Sequence, residues 1–251
     1  MQPVRRAVRL GILLLSLSPL TLLAQASATV ERDTAGMVIH NGSETIHIAV
    51  CGPDLIHVVA GPGNPTGASP HTPWIVTPCT PDHFDFESDA KSGTVSTTKL
   101  RVQVDLKTVT LRFIDASGAV LLHEFAGREP RAYVATEANG EKVYRVTERF
   151  FPDALEGIYG LGQHQAGVFN YRGAVVELAL ANTDVAIPFL VSTKGYGLLW
   201  NTASRSWFDD RFLNEMKLVA EAADAIDYYF VYGPEMDQTI HQQIRHHRQP
   251  P

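Results

Sequence analysis

The chain has 251 residues, with 21 lysines and arginines against 27 acids and a formal charge of −6. That acidic balance excludes nucleic acid and anionic lipid as main partners, because both demand basic surfaces. Its two cysteines, Cys51 and Cys79, lack the paired spacing of a cysteine zinc site.

The first 26 residues read as a signal peptide. Arg5, Arg6 and Arg9 form a basic start, Leu10 to Leu23 is an almost unbroken apolar run, and Ala24-Gln25-Ala26 supplies a small-x-small cleavage site. Ala26-Ser27-Ala28 is a competing site. The apolar run is shorter than the roughly 20 residues that span a bilayer, so cleavage and export to the periplasm or medium are expected. Cleavage after Ala26 leaves 18 basic against 27 acidic side chains, a formal charge of −9. No later apolar stretch is long enough to cross a membrane. In an oxidising compartment Cys51 and Cys79 either pair or stay as two thiols, and the sequence leaves both open. A bridge would stabilise the fold by roughly 3–4 kcal/mol in the chain-entropy model.

Beyond the leader the pattern is strand after strand. Glu44–Val50 alternates polar and apolar residues, as a half-buried strand does. Leu55–Ala60, Trp74–Thr77 and His83–Glu87 are shorter runs, and the Gly- and Pro-rich break from Gly61 to Pro73 reads as a surface loop or an early module boundary. Leu100–Asp105 and Val109–Ile114 alternate around a short turn. Asp115 to Gly118 turns into Val120–His123. Arg131–Glu137 and Lys142–Phe151 flank Asn139-Gly140, the strongest hairpin signal in the chain. Further strands are predicted at Val175–Leu180, Ile187–Ser192, Gly197–Asn201 and Ala225–Val231. The first convincing helix comes last: Pro234 sits at a first helical position, and Met236, Ile240 and Ile244 recur at i, i+4, i+8. Short strands at regular spacing with no helix–strand alternation predict an all-β sandwich closed by a C-terminal linking helix. The predicted division is a signal peptide over 1–26, a sandwich over 27–233, and a linking helix with a tail over 234–251.

Chemical motifs are sparse. Gly160, Gly162 and Gly167 miss the dinucleotide spacing, and a turn and strand follow them instead of a helix. His164 lacks a second ligand at metal spacing and reads first as a loop histidine bonded to backbone, second as a sugar-facing donor. His241, His246 and His247 do not share one helix face. Tyr196, Trp200, Trp207 and Phe208 suit either stacking on sugar rings or packing as core and corner aromatics, the commoner fate, and the core reading leads for Trp200. Trp207, in a polar context, is unsettled between core and sugar stacking. Asp209 and Asp210, neighbours on a strand, point to opposite faces and cannot form a glycosidase acid pair, which needs carboxyls about 5–5.5 Å apart. No catalytic residue, metal or organic cofactor is expected within the chain.

Taken in order, Val109–Leu122 (VTLRFIDASGAVLL), Tyr144–Phe150 (YRVTERF), Ile158–Gln165 (IYGLGQHQ), Arg172-Gly173, Asn182-Thr183-Asp184, Ala186–Phe189 (AIPF) and Ser192–Trp200 (STKGYGLLW) resemble a known domain. It is the N-terminal domain of family 31 glycoside hydrolases, with α-xylosidase- and α-glucosidase-like members nearest, and the resemblance covers roughly residues 40–245. It implies a galactose-mutarotase-like β-sandwich packed on a (β/α)₈ barrel whose two aspartates perform retaining hydrolysis of α-linked glycosides. It also implies that Asn182, Thr183 and Asp184 form the loop that helps shape the substrate pocket, none of them as nucleophile or acid/base. After Met236–His241 the chain departs from the family pattern into a His/Arg/Gln/Pro tail, so a break before the barrel and no hydrolysis by the chain alone are expected. The expected partners are an α-linked oligosaccharide and the barrel domain. The alternatives are a stand-alone carbohydrate-binding module and a fragment without function.

Overall fold

The computed structural model describes residues 27–65, 79–127, 129–165, 167–212 and 214–247. The signal peptide expected over 1–26, the strand at Trp74–Thr77, the side chains of Ile244, His246 and His247, and the tail over 248–251 lie outside what it describes. Among the described residues the first nine strands are β1 (Thr29–Arg32), β2 (Gly36–Asn41), β3 (Glu44–Gly52), β4 (Leu55–Pro62), β5 (Asp85–Ser88), β6 (Ser92–Ser96), β7 (Leu100–Asp105), β8 (Thr110–Asp115) and β9 (Val120–Glu124). There follow β10 (Arg131–Ala138), β11 (Glu141–Phe151), β12 (Ile158–Gln163), β13 (Val175–Leu178), β14 (Val185–Ser192), β15 (Tyr196–Trp200), β16 (Ser206–Phe212), β17 (Glu215–Ala223), β18 (Ile226–Tyr232) and one helix, α1 (Met236–His247).

Two antiparallel sheets result. One is ordered β1-β2-β3-β4-β18-β15-β14-β12, and the other runs β13-β16-β17-β11-β9-β8-β7-β6-β5 with β10 paired to β11. The sequence explains the layering directly: in β7 the burial alternates residue by residue, Leu100, Val102 and Val104 inward and Arg101 exposed. The inward faces meet in one core, where the Phe113 ring stacks on Phe230 at 4.1 Å and Phe150 meets Tyr228 edge-on at 5.5 Å. Trp200, Tyr196 and Phe208 are fully buried there, so all three are core side chains. Cys51 and Cys79 form a disulfide with Cα atoms 4.9 Å apart.

The interior also holds a charged group. Arg131 donates to Glu44 at 2.8 Å, to Glu124 at 2.5 Å and to the Val109 carbonyl at 2.6 Å, with its own side chain 2% exposed. Val109 adopts a left-handed φ of 52°, a conformation rare for a β-branched residue, and its carbonyl is held by that guanidinium. Tyr133 donates to Glu44 at 2.9 Å. Burial pushes the Glu124 and Glu148 carboxyls up, while Arg131 and the hydrogen bonds around it outweigh burial at Glu44 and hold it low.

Several expectations are refined. Thr29–Arg32, Gly36–Asn41, Ser92–Ser96, Ile158–Gln163, Ser206–Phe212 and Glu215–Ala223 are strands that the pattern did not announce. The helix begins at Met236, two residues beyond Pro234, and Thr239 N donates to Glu235 O at 3.1 Å. Its sheet-facing stripe is Met236 with the fully buried Thr239, whereas Ile240 is 43% exposed. Thr239 Oγ1 explains the shift by donating to Gly233 O at 3.0 Å, which turns that side of the helix onto β14, β15 and β18.

Candidate functional site

The last strands of the two sheets, β12 and β13, lie on the same side of the sandwich, and the chain crosses between sheets there. Two connections lie on this side: residues 164–165 and 167–174 between β12 and β13, and residues 179–184 between β13 and β14. Asn182, Thr183 and Asp184 occupy the second. Ala181 and Asp184 exchange backbone hydrogen bonds at 3.3 Å each, which closes a tight turn and leaves Asn182 and Thr183 exposed at its tip. Asp184 is half-buried, and its Oδ1 accepts the Gln165 amide at 3.2 Å. One carboxylate oxygen therefore ties the two connections together.

Local backbone chemistry shapes the strand that feeds this turn. Gly160, Leu161 and Gly162 carry φ values of 96°, 62° and 104°, and the β12–β14 register shifts between Gly160 and Gly162. A Cβ at Gly162 would stand 1.9 Å from Val185 O, so only glycine fits. His164 Nε2 donates to Leu161 O at 2.8 Å, and its ring meets Tyr171 edge-on at 6.3 Å. The expected backbone-bonded loop histidine is therefore what is found.

The first connection is pinned from below. Asn170 Oδ1 accepts the amides of Ile158 at 3.0 Å and Arg172 at 3.1 Å, the second closing an Asx turn. Tyr171 N donates to Ile158 O at 2.8 Å. Asp210 accepts Gly173 N at 2.7 Å and Arg172 Nη1 at 3.1 Å. Burial raises the Asp210 carboxyl above the usual range. Behind it Glu156 accepts Ser192 Oγ at 2.5 Å, the Tyr196 hydroxyl, and Asp153 N at 2.9 Å.

Solvent-facing chemistry on this side is apolar around a polar tip. Val168, Phe169, Val175, Leu180, Val185 and Ile187 are exposed, Phe169 at 83% and Leu180 at 76%. Six of the exposed large apolar side chains among the described residues fall in this one stretch of sequence. Phe169 is the one exposed aromatic here, 5.2 Å from the Tyr159 ring. Trp207 sits on β16 opposite Glu177 of β13, with the Arg145 and Arg205 guanidinium groups 5.2 and 5.0 Å from its ring. Trp207 is half-buried and a cation–π partner of both arginines.

Asp209 bonds to Arg211 at 2.7 Å, Asp210 is committed to Arg172 and Gly173, and Glu124 and Glu148 lie in the core. No group of three or more His, Cys, Asp or Glu among the described residues is arranged to hold a metal ion. Sequence reasoning missed Gln165, Phe169 and the anchoring role of Asp210. The glycines at 160, 162, 167 and 173 signalled a constrained backbone, but the partners of a loop 19 or 38 residues distant are not written in local pattern.

Comparison with known proteins agrees with this architecture. The family described as the glycosyl hydrolase 31 N-terminal galactose mutarotase-like domain matches residues 45–209. An alpha-xylosidase of Saccharolobus solfataricus is 40% identical over 106 residues, 39% of this chain and 14% of the relative. Alpha-xylosidase A of Aspergillus niger is 26% identical over 246 residues, 88% of this chain and 33% of the relative. The chain thus spans a third or less of the length of these two relatives. Among solved structures, a GH31 alpha-xylosidase from a soil metagenome complexed with xylose superposes with TM-score 0.68 at 23% identity, over 78% of this chain and 31% of that one. A GH31 dextranase of Flavobacterium johnsoniae complexed with isomaltotriose gives TM-score 0.72 at 17% identity, over 90% and 28%. At these identities the two structures establish the shared fold.

Proposed function

The chain belongs to glycosyl hydrolase family 31 through that family's N-terminal galactose mutarotase-like domain, and from this premise we propose that it is the pocket-wall domain of an exported retaining α-glycoside hydrolase. The substrate is an α-linked xylosyl or glucosyl oligosaccharide. Asn182, Thr183 and Asp184 supply hydroxyl-matching polar groups at the rim of the pocket, and carboxylates on a barrel domain supply nucleophile and acid/base. The single observation that carries this reading is the placement of the Asn182–Asp184 turn within an exposed apolar strip. A polar tip ringed by apolar side chains suits a ligand held between this sandwich and a second domain.

Export is supported by the Cys51–Cys79 disulfide, since such bridges persist mainly in oxidising compartments. The chain by itself does not turn over glycosides, because none of its described acids pairs at the substrate side.

Two measurements test the proposal. Aryl α-xyloside and α-glucoside incubated with the purified chain should release no phenol, and hydrolysis lost on mutation of a residue in this chain would sink it. In a protein that joins this sandwich to a family barrel, Asp184→Asn keeps the acceptor for Gln165 but removes the charge, whereas Asp184→Ala removes both. The expected order of kcat/KM is wild type, then Asn, then Ala, the last down about tenfold or more, in line with loss of a charged hydrogen-bond partner. Equal values across the three would remove Asp184 from the pocket. Tight binding of xyloglucan oligosaccharides or maltose by the chain alone would favour the stand-alone binding-module reading instead.

A further inference from the structure

We propose that His164 is the positioning residue of the Asn182–Asp184 turn, a role that rests on the pocket-wall reading above. The chain of contacts is short and continuous. The three left-handed residues Gly160, Leu161 and Gly162 turn the end of β12 out of its regular course, and the Leu161 carbonyl becomes the acceptor for His164 Nε2 at 2.8 Å. That bond spans three residues and closes the segment 161–164 on itself. Its next residue is Gln165, whose amide reaches Asp184 Oδ1 at 3.2 Å. The imidazole is also wedged edge-on against Tyr171, which is 6% exposed and is fixed in turn by its own amide donating to Ile158 O at 2.8 Å. His164 therefore joins three things that no other side chain named here joins: the bulge, the pinned 170–174 segment and the tether to the substrate turn.

Bonding geometry defines the ring state required. A carbonyl oxygen only accepts, so Nε2 must carry hydrogen, as it does in the Nε2–H tautomer and in the imidazolium. An amide nitrogen offers the same donor, so glutamine can replace the ring's hydrogen bond while alanine cannot. Neither substitution touches the Asp184 carboxylate, so the ligand-facing chemistry of the turn is left intact.

Hydrogen exchange on the full chain tests the role. His164→Ala should speed exchange at the Gln165 amide and at Asp184 N about tenfold, the scale of one lost hydrogen bond, with the β7–β8 amides unchanged. His164→Gln should restore protection at both positions. Unchanged exchange at Asp184 in the alanine variant overturns the proposal. So does a uniform rise across all strands, or a glutamine variant as loose as alanine, since each marks a general packing role. The Asp184→Asn and Asp184→Ala comparison in the chain joined to a family barrel is read separately: a turn that loosens as expected in a protein indifferent to the Asp184 side chain leaves the brace standing and removes its purpose.

Discussion

Glu148 shows what a single buried residue does to the whole fold. Its Oε2 is buried without a hydrogen-bond partner, and its Oε1 accepts only the adjacent Arg149 amide at 3.0 Å. Glu124 and Glu44 share the one guanidinium nearby, so the cluster has more acids than cations. Burial first and the Glu124 charge second push the Glu148 carboxyl well above the ordinary glutamate range. The linkage follows in sign: a raised folded value gives stability that is complete below the unfolded value, near 4.5, and lost as pH rises through the folded one. Glu44, held low, works in the opposite direction and loses its contribution only as pH falls below its ordinary range. Stability is therefore expected to decline from mildly acid toward neutral and alkaline pH, with a slope of up to about 1.4 kcal/mol per pH unit for one proton. Glu148→Gln should flatten that decline in thermal melts between mildly acid and alkaline buffers. An unchanged slope would remove Glu148 as its source. None of this was legible in sequence, where Glu148 is one more polar residue in an alternating strand and its interior neighbours come from β3, β9 and β10.

At the scale of elements, legibility followed local regularity. Leu100–Asp105 was readable to the residue because inward apolar and outward polar side chains alternate without interruption, and Asn139-Gly140, with φ values of 53° and 82°, is the hairpin turn its dipeptide announces. Ile158–Gln163 was not readable, because glycines that look like a loop are there to permit a bulge between paired strands. Glu215–Ala223 was missed for another reason: its run of Glu, Met, Lys, Leu and Ala favours helix locally, and pairing with β11 and β16 overrides that preference. The Asn182–Asp184 loop is singled out by the resemblance alone, and the structure adds its tethers. The bulge yields a prediction. Gly162→Ala places a Cβ 1.9 Å from Val185 O at φ 104°, whereas Gly118→Ala, at φ 92°, meets nothing within 4 Å. Both substitutions force an L residue into a left-handed backbone, but only the first also drives the strands apart. Urea unfolding should show about 1 kcal/mol lost at Gly118 and at least about 2–3 kcal/mol at Gly162. Equal losses would mean that the close approach at Gly162 relaxes freely.

For the whole molecule, the decisive asymmetry lies between the two sides of the sandwich. On one side β1 packs against β5 and β6, with Val30 seated over Gly93, so the sheets close on each other. On the other, β12 and β13 end their sheets with Val168, Phe169, Val175, Leu180, Val185 and Ile187 facing outward. Outer apolar side chains on the broad face of the first sheet are treated differently: Leu55, Phe189, Val191 and Val231 are buried, with Met236 of α1 packed against them. The fold covers one apolar face with its own helix and leaves these six side chains exposed, the arrangement a contact surface requires. The strip costs solubility when nothing covers it, since each square ångström of apolar surface returned from water favours association by roughly 25 cal/mol. The chain alone should therefore self-associate with rising concentration. Phe169→Ser combined with Leu180→Ser should reduce that association in sedimentation equilibrium while leaving the melting midpoint near that of the wild type, because both side chains are largely outside the core. Joining the sandwich to a family barrel should suppress the association as effectively as the two serines. A wild-type chain that stays monomeric at high concentration, or a double variant that associates as strongly, would show that the strip is not a contact surface. A double variant that also melts many degrees lower would mean that Phe169 and Leu180 hold the edge together, and the candidate turn would then owe its shape to them as much as to its tethers.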